Sequence, residues 1–204
     1  MSKLYYQGHG SYRLETNRGK IIFIDPFCGN GYDKNADLIL ITHNHFDHTK
    51  TDLITKNKDC LVITFKDALK NNNYNIFKKD EITITSVQAY NKNHSISECV
   101  GYVLEFDGIC FYASGDTSKT DDMKNKLPFF NIDYAVLPID GVFNMDINEA
   151  KECAELINAK HIIPVHTSPL YEKSSQDIPF DKEKVDKLDV NNKLVISPGE
   201  EIVL

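Results

Sequence analysis

No apolar run in these 204 residues approaches the length of a bilayer span, and no block of lysine or arginine interrupts a net charge of −7. The first absence excludes a membrane-spanning helix. The second removes the bulk electrostatic grip that a long nucleic acid or an anionic membrane needs, although a local cation site would still draw a phosphate. The five cysteines (Cys28, Cys60, Cys99, Cys110 and Cys153) are odd in number, scattered and without a C-x-x-C pair. A disulfide framework is therefore not expected, and free thiols fit a reducing compartment. No cleavable leader is visible, since Met1-Ser2-Lys3-Leu4-Tyr5 runs straight into strand-like sequence; the expected location is the cytoplasm. A G-x-S-x-G elbow is missing too, so an activated serine is not signalled. There is no linker, repeat or low-complexity tract, and residues 1–204 are expected to form one domain.

Against these absences, one stretch is unusually rich. Ile41-Thr42-His43-Asn44-His45-Phe46-Asp47-His48 places three imidazoles and a carboxylate directly after the apolar run Leu38-Ile39-Leu40-Ile41. That order reads as a buried strand entering a ligand-bearing loop. If His43 and His45 stay extended, their side chains leave the same face and can grip one ion together. Asp47 and His48 follow a turn and are free to reach a second ion. Imidazole nitrogen and carboxylate oxygen suit zinc, iron or manganese.

Short strands are predicted at 4–6, 11–15 and 21–25, with Asp25-Pro26 ending the third. Further strands are expected at 60–64, 81–89, 134–137, 162–165, 194–196 and 202–204. Val100-Phe106 and Ile109-Ala113 flank Asp107-Gly108, a strong hairpin signal. Helices are expected near 52–56, 66–70, 119–126 and 181–188, and over 148–158 with Asn148 as its N-cap. Meander strands precede alternating strand–helix units, which predicts a layered α/β architecture.

Two more candidates stand at equivalent places, and a third lies in a loop. Asp116 lies just beyond the strand ending at Ala113, and His166 just beyond the strand ending at Val165, as His43 follows its own strand. A shared sheet edge would bring them together, since ligands gather at the carboxyl ends of strands in layered α/β folds. His94 occupies a polar loop after a strand. His161 opens the strand that His166 closes, and should face away.

His43-Asn44-His45-Phe46-Asp47-His48 matches the H-x-H-x-D-H signature of metallo-β-lactamase-fold hydrolases, and His94, Asp116 and His166 follow in that family's chain order. Gly8-His9-Gly10-Ser11-Tyr12 and Leu137-Pro138-Ile139-Asp140-Gly141-Val142-Phe143-Asn144-Met145 resemble the branch that includes ascorbate-6-phosphate lactonase. The resemblance implies a four-layer αβ/βα sandwich with a dinuclear site at one edge. One cation would take His43, His45 and His94, the other Asp47, His48 and His166, with Asp116 bridging. It also implies a catalytic role for Asp47, a substrate or outer contact for His9 at the rim, and substrate contacts for Asp140 and Asn144.

Two such divalent ions, zinc first and manganese or iron otherwise, would share and deprotonate one water for attack on an ester, lactone or phosphoester of a small molecule. Other readings are a phosphodiesterase acting on nucleotides and a non-catalytic metal- or partner-binding protein. A flavo-diiron module usually carries Glu where His45 stands. Glyoxalase-type enzymes add a helical C-terminal segment, and nucleases of the fold insert a further domain; this sequence has neither. Pocket residues are expected from loops 28–34, 91–99, 140–146 and 168–179 and from Tyr32, Phe143, Tyr171 and Phe180, with Lys173 read as solvated.

Overall fold

The computed structural model describes residues 1–171 and 179–204, and one short strand shows how its layers arise. Along Ala36–Leu40, Leu38 and Leu40 enter the core between two sheets, while Ile39 and the following Ile41 enter the layer outside. A strand apolar on both faces is what a doubly covered sheet requires.

In chain order the strands are β1 (Lys3–Gly8), β2 (Ser11–Glu15), β3 (Ile21–Ile24), β4 (Ala36–Leu40), β5 (Lys56–Ile63), β6 (Leu69–Lys70), β7 (Asn73–Tyr74), β8 (Ile76–Lys79), β9 (Ile82–Gln88), β10 (Val100–Phe106), β11 (Ile109–Ala113), β12 (Tyr134–Pro138), β13 (His161–Val165) and β14 (Glu201–Val203). The helices are α1 (Phe65–Ala68), α2 (Asp121–Asn125), α3 (Ile147–Ile157) and α4 (Lys182–Lys187). One six-stranded sheet has the order β14-β1-β2-β3-β4-β5 and the other β13-β12-β11-β10-β9-β8. Each begins as an antiparallel meander and ends in parallel strands, β3-β4-β5 in one and β11-β12-β13 in the other. The main core lies between them, built from Tyr6, Tyr12, Leu14, Ile22 and Leu40 on one side and Ile84, Tyr102, Leu104 and Phe111 on the other. Tyr102 crosses that core, and its hydroxyl donates to the Ile41 carbonyl at 3.0 Å. Beyond it, Val100 N donates to Thr42 O at 3.0 Å, and His43 bridges Cys99. The two sheets are thus joined where β4 ends.

The expected α/β sandwich is present, with unequal outer layers. Helices α2, α3 and α4 cover the second sheet through Met123, Ala150, Cys153, Ile157 and Val185. The outer face of the first sheet carries no α-helix among the described residues. Tyr32 stacks there on Phe23 (5.6 Å between centroids), beside a 3-10 turn at Thr51–Leu53.

Several local expectations need correction. The helix expected at 52–56 is that 3-10 turn, followed at once by β5. The cap of α3 is Asp146, whose carboxylate accepts from Glu149 N, rather than Asn148. The β6–β7 hairpin hides in a polar run because Asn71 and Asn72 both take positive φ (53° and 61°), a two-residue turn that Asn tolerates. The strand expected at 194–196 does not form; Leu194 N makes one ladder-like bond to Ile162 O. The Asp107-Gly108 hairpin forms as expected, with φ of 51° and 79°. All five cysteines are free thiols. Among the described residues no helix is long and apolar enough to cross a membrane.

Candidate metal centre

The parallel strands of both sheets end at one edge, and the segments leaving them carry the polar groups. Thr42-His43 follows β4, Asp116 follows β11, Asp140 follows β12 and His166 follows β13. Two clusters result.

The first is a triangle of imidazoles. The ring centroids of His43, His45 and His94 lie 4.6 Å apart on all three sides. His94 Nε2 is 3.1 Å from His45 Nδ1, while His94 Nδ1 faces the Asn91 carbonyl oxygen at 2.7 Å. His43 uses Nδ1 on the Thr42 hydroxyl at 3.0 Å, which leaves its buried Nε2 without a partner. The three rings therefore turn mutually close nitrogens toward one point. His45 is exposed, and the triangle opens on a cleft of about 300 Å³.

The second cluster is closed over. His9, Asp47, His48 and His166 offer ligand atoms within 4.8 Å of one another. Asp116 stands between the clusters: its carboxylate oxygens are 3.4 Å from His48 Nε2, 3.5 Å from His166 Nε2 and 3.8 Å from His94 Nε2. The void here is only about 10 Å³, bounded by Gly10, His48, Asp116 and His166. Gly10 permits this packing, because a Cβ there would sit 2.7 Å from the His48 ring. Gly115, at φ 64°, meets Thr42 in the same way. His48 Nε2 and both ring nitrogens of His166 lack a hydrogen-bond partner, although His166 Nδ1 lies 3.1 Å from Asp140 Oδ2.

Charge is divided between the clusters. Burial alone would lower the His48 imidazolium, but Asp116, Asp25 and Asp47 push it up to about 10. His166 is likewise raised, by Asp116 and Asp140 against burial. In the first cluster, burial together with His48 holds His43 well below its ordinary value, and burial holds His94 at about 4. Burial would raise Asp116, yet the imidazoles around it, His166 and His48 foremost, hold it well below the usual carboxylate range.

All seven side chains expected as ligands meet at this edge, which sets the donor sets that could hold cations. Three other expectations are displaced. His9 is not at the rim: its side chain is 0% exposed, lies behind Asp47 with Nε2 3.1 Å from Oδ2, and is covered by His166 (centroids 3.6 Å) and Phe27 (5.8 Å). Asp140 and Asn144 are not on the open face either. They are 2% and 8% exposed, and their polar atoms turn to protein partners. Tyr32 and Phe180 pack away from the cleft, Phe180 edge-on to Tyr6. His161 stacks on Tyr134 (5.0 Å), away from the site as expected. Lys173 lies outside the described residues.

Asp25 was legible only as a strand end, yet it braces two ligands. Its Oδ2 accepts from the Thr42 hydroxyl (2.6 Å) and lies 3.0 Å from His48 Nδ1, while Oδ1 accepts from Thr42 N (2.8 Å). Because the Thr42 hydroxyl donates to Asp25, it accepts from His43 Nδ1–H, and Nε2 of both histidines is left for a cation. An acidic residue closing a buried strand, the feature that singled out Asp116, was the available signal.

Residues 3–166 match the family model described as Beta-lactamase superfamily domain. A UPF0173 metal-dependent hydrolase of Pyrococcus furiosus is 31% identical, with 100% of both chains covered. A second UPF0173 metal-dependent hydrolase, from Thermococcus onnurineus, is 32% identical over 98% of each chain. The solved structure of a metallo hydrolase from the hyperthermophilic archaeon Ignicoccus hospitalis superposes with a TM-score of 0.71, covering 99% of this chain and 98% of that one. Its 23% identity speaks for the fold alone.

Proposed function

This chain is a metal-dependent hydrolase of the metallo-β-lactamase superfamily, and from that premise we propose that it holds two divalent cations and hydrolyses an ester, lactone or phosphoester of a small molecule. One observation carries the reading. The buried Nε2 atoms of His43, His48 and His166 have no hydrogen-bond partner, and two of them lie within 3.5 Å of Asp116. Each unpartnered buried polar group costs about 1–3 kcal/mol. A bound cation offsets that cost, so the residues present fit the group.

His43, His45 and His94 would hold one cation, Asp47, His48 and His166 the other, with Asp116 between them. The donor set suits zinc first, and manganese or iron also. When bound, such a pair supplies Lewis acidity and ionises water near neutral pH. The chain's own groups then orient and exclude. Burial would raise Asp47, but His48 and His9 keep its carboxylate ionised. His9 fixes Asp47 through Nε2–H, a placement that suits Asp47 to orient the attacking water or take its proton. Phe65 gives the cleft an apolar wall, Lys66 a cation, and Asn44, Asn93 and Ser95 polar rims. A cleft of about 300 Å³ matches a small molecule and no long polymer. We extend one hydrolase domain over residues 1–204, and the free thiols support a reducing, cytoplasmic setting.

The test is turnover of p-nitrophenyl phosphodiesters, esters and lactones by protein loaded with zinc, manganese or iron. Activity on at least one class, abolished by chelation, is expected. Two tightly held ions with no turnover across the panel would favour a metal-binding protein without catalysis.

A further inference from the structure

Asn91, Asp140 and Asn144 form a string of hydrogen bonds that reaches a ligand of each cluster. Asn91 has one amide orientation that fits its backbone neighbours. Its oxygen accepts from Asn93 N at 2.8 Å, and its nitrogen donates to the Phe143 carbonyl at 2.9 Å. In that orientation the oxygen also accepts from His94 Nδ1–H (2.7 Å), and the nitrogen donates to Asn144 Oδ1 (3.1 Å). Asn144 must then present its own nitrogen to Asp140 Oδ2, 2.9 Å away. The same oxygen is 3.1 Å from His166 Nδ1. Asp140 Oδ1, meanwhile, accepts from the backbone N–H groups of Val142 (2.8 Å), Phe143 (2.6 Å) and Asn144 (3.4 Å). One carboxylate therefore closes the loop that carries both Phe143 O and Asn144 to Asn91. Lys184 Nζ anchors the base of this loop on the Asp140 carbonyl at 2.8 Å.

We propose that Asp140, Asn144 and Asn91 are positioning residues that hold His94 and His166 through one shared string, so that the two cation positions are set together. The inference rests on the two-cation reading above and deepens it. At one end Asn91 accepts from His94 Nδ1–H, and at the other Asp140 Oδ2 faces His166 Nδ1 at 3.1 Å, which leaves Nε2 of each histidine for a cation. None of the three residues contacts both histidines; only the string does. Two independent props would serve each ligand equally well but would not link them.

The test is calorimetric titration of the metal-free full chain with Zn²⁺, comparing the wild type, Asn91→Ala, Asp140→Asn and the double variant. Asp140→Asn keeps an oxygen for the loop N–H groups but puts an NH₂ where Oδ2 accepts from Asn144 and faces His166 Nδ1. Each single variant should weaken both ions by about 10–100-fold, and the double variant should be no weaker than the weaker single. The inference is overturned if Asn91→Ala weakens one ion, Asp140→Asn weakens only the other, and the losses multiply. A wild type that binds fewer than two ions ends the two-cation reading instead. The string is then judged in metal-free protein by the ¹⁵N spectrum of His94. Asp140→Asn, which does not touch His94, must shift that ring away from its Nδ1-protonated signature; an unchanged ring overturns the string. Should Asp140→Asn fail to fold, Asn144→Ala carries both readouts with the same expectations.

Discussion

The two ligand clusters are both built mainly from histidine and differ in almost everything else. The triangle of His43, His45 and His94 faces a cleft of about 300 Å³ and contains no carboxylate. The cluster of Asp47, His48 and His166 is packed against His9 and Asp116, and the void beside its His48 and His166 measures only about 10 Å³. Acidic neighbours raise His48 and His166, whereas burial lowers His43 and His94. One cluster is thus open to solvent, the side from which the proposed reaction would draw its substrate. The other is built to neutralise charge away from water.

The contrast is broken most severely at the group the clusters share. Asp116→Ala should lower kcat/KM by more than the roughly 100-fold limit of an outer contact and leave at most one tightly held ion. Retention of two ions by elemental analysis would separate Asp116 from both clusters.

Proton release sharpens the contrast next. In metal-free protein near pH 7.5, His48, pushed up to about 10, carries a proton that an incoming cation must displace. His94, held at about 4, carries none. Affinity at the closed cluster should therefore rise at least about tenfold per pH unit below pH 10, a dependence to which His43 and His94 add nothing near neutral pH. Calorimetry in buffers of different ionisation enthalpy reads this directly, and equal slopes for the two ions would erase the distinction.

A smaller effect is expected behind the closed cluster. His9→Ala removes the brace on Asp47 and should reduce turnover by about tenfold with metal content unchanged; wild-type kinetics would remove His9 from the mechanism. Least affected is the open side, where Phe65→Ala should raise KM a few-fold with kcat held, the pattern of a lost uniform contact. A change in kcat alone would mean that Phe65 shapes the ligands rather than the cleft.

The ligands of both clusters were legible in the sequence, and their supports were not. H-x-H-x-D-H names two ligands of each cluster outright, Asp116 and His166 betray themselves by ending apolar strands, and His94 follows from the chain order of the family. What lay behind them did not show. Asp25 reads as a strand terminator before Pro26, because nothing local says that its carboxylate turns inward to Thr42 and His48. Asp140 and Asn144 sit in a loop near the site, yet the direction they face is decided by Asn91, some fifty residues away. His9 takes φ 53° between two glycines, which folds its ring inward under His166, where extended backbone would have left it at the rim. The β6–β7 hairpin is settled by the left-handed backbone of Asn71 and Asn72, which periodicity does not report, and the want of an α-helix over the outer face of the first sheet, among the described residues, by long-range packing.

The most direct measurement is anomalous diffraction from crystals grown with zinc or manganese. Two peaks should appear, one within coordination reach of His43, His45 and His94 and one of Asp47, His48 and His166, with Asp116 between them. A single peak, or density at neither cluster in protein proven active, would contradict the two-cation centre.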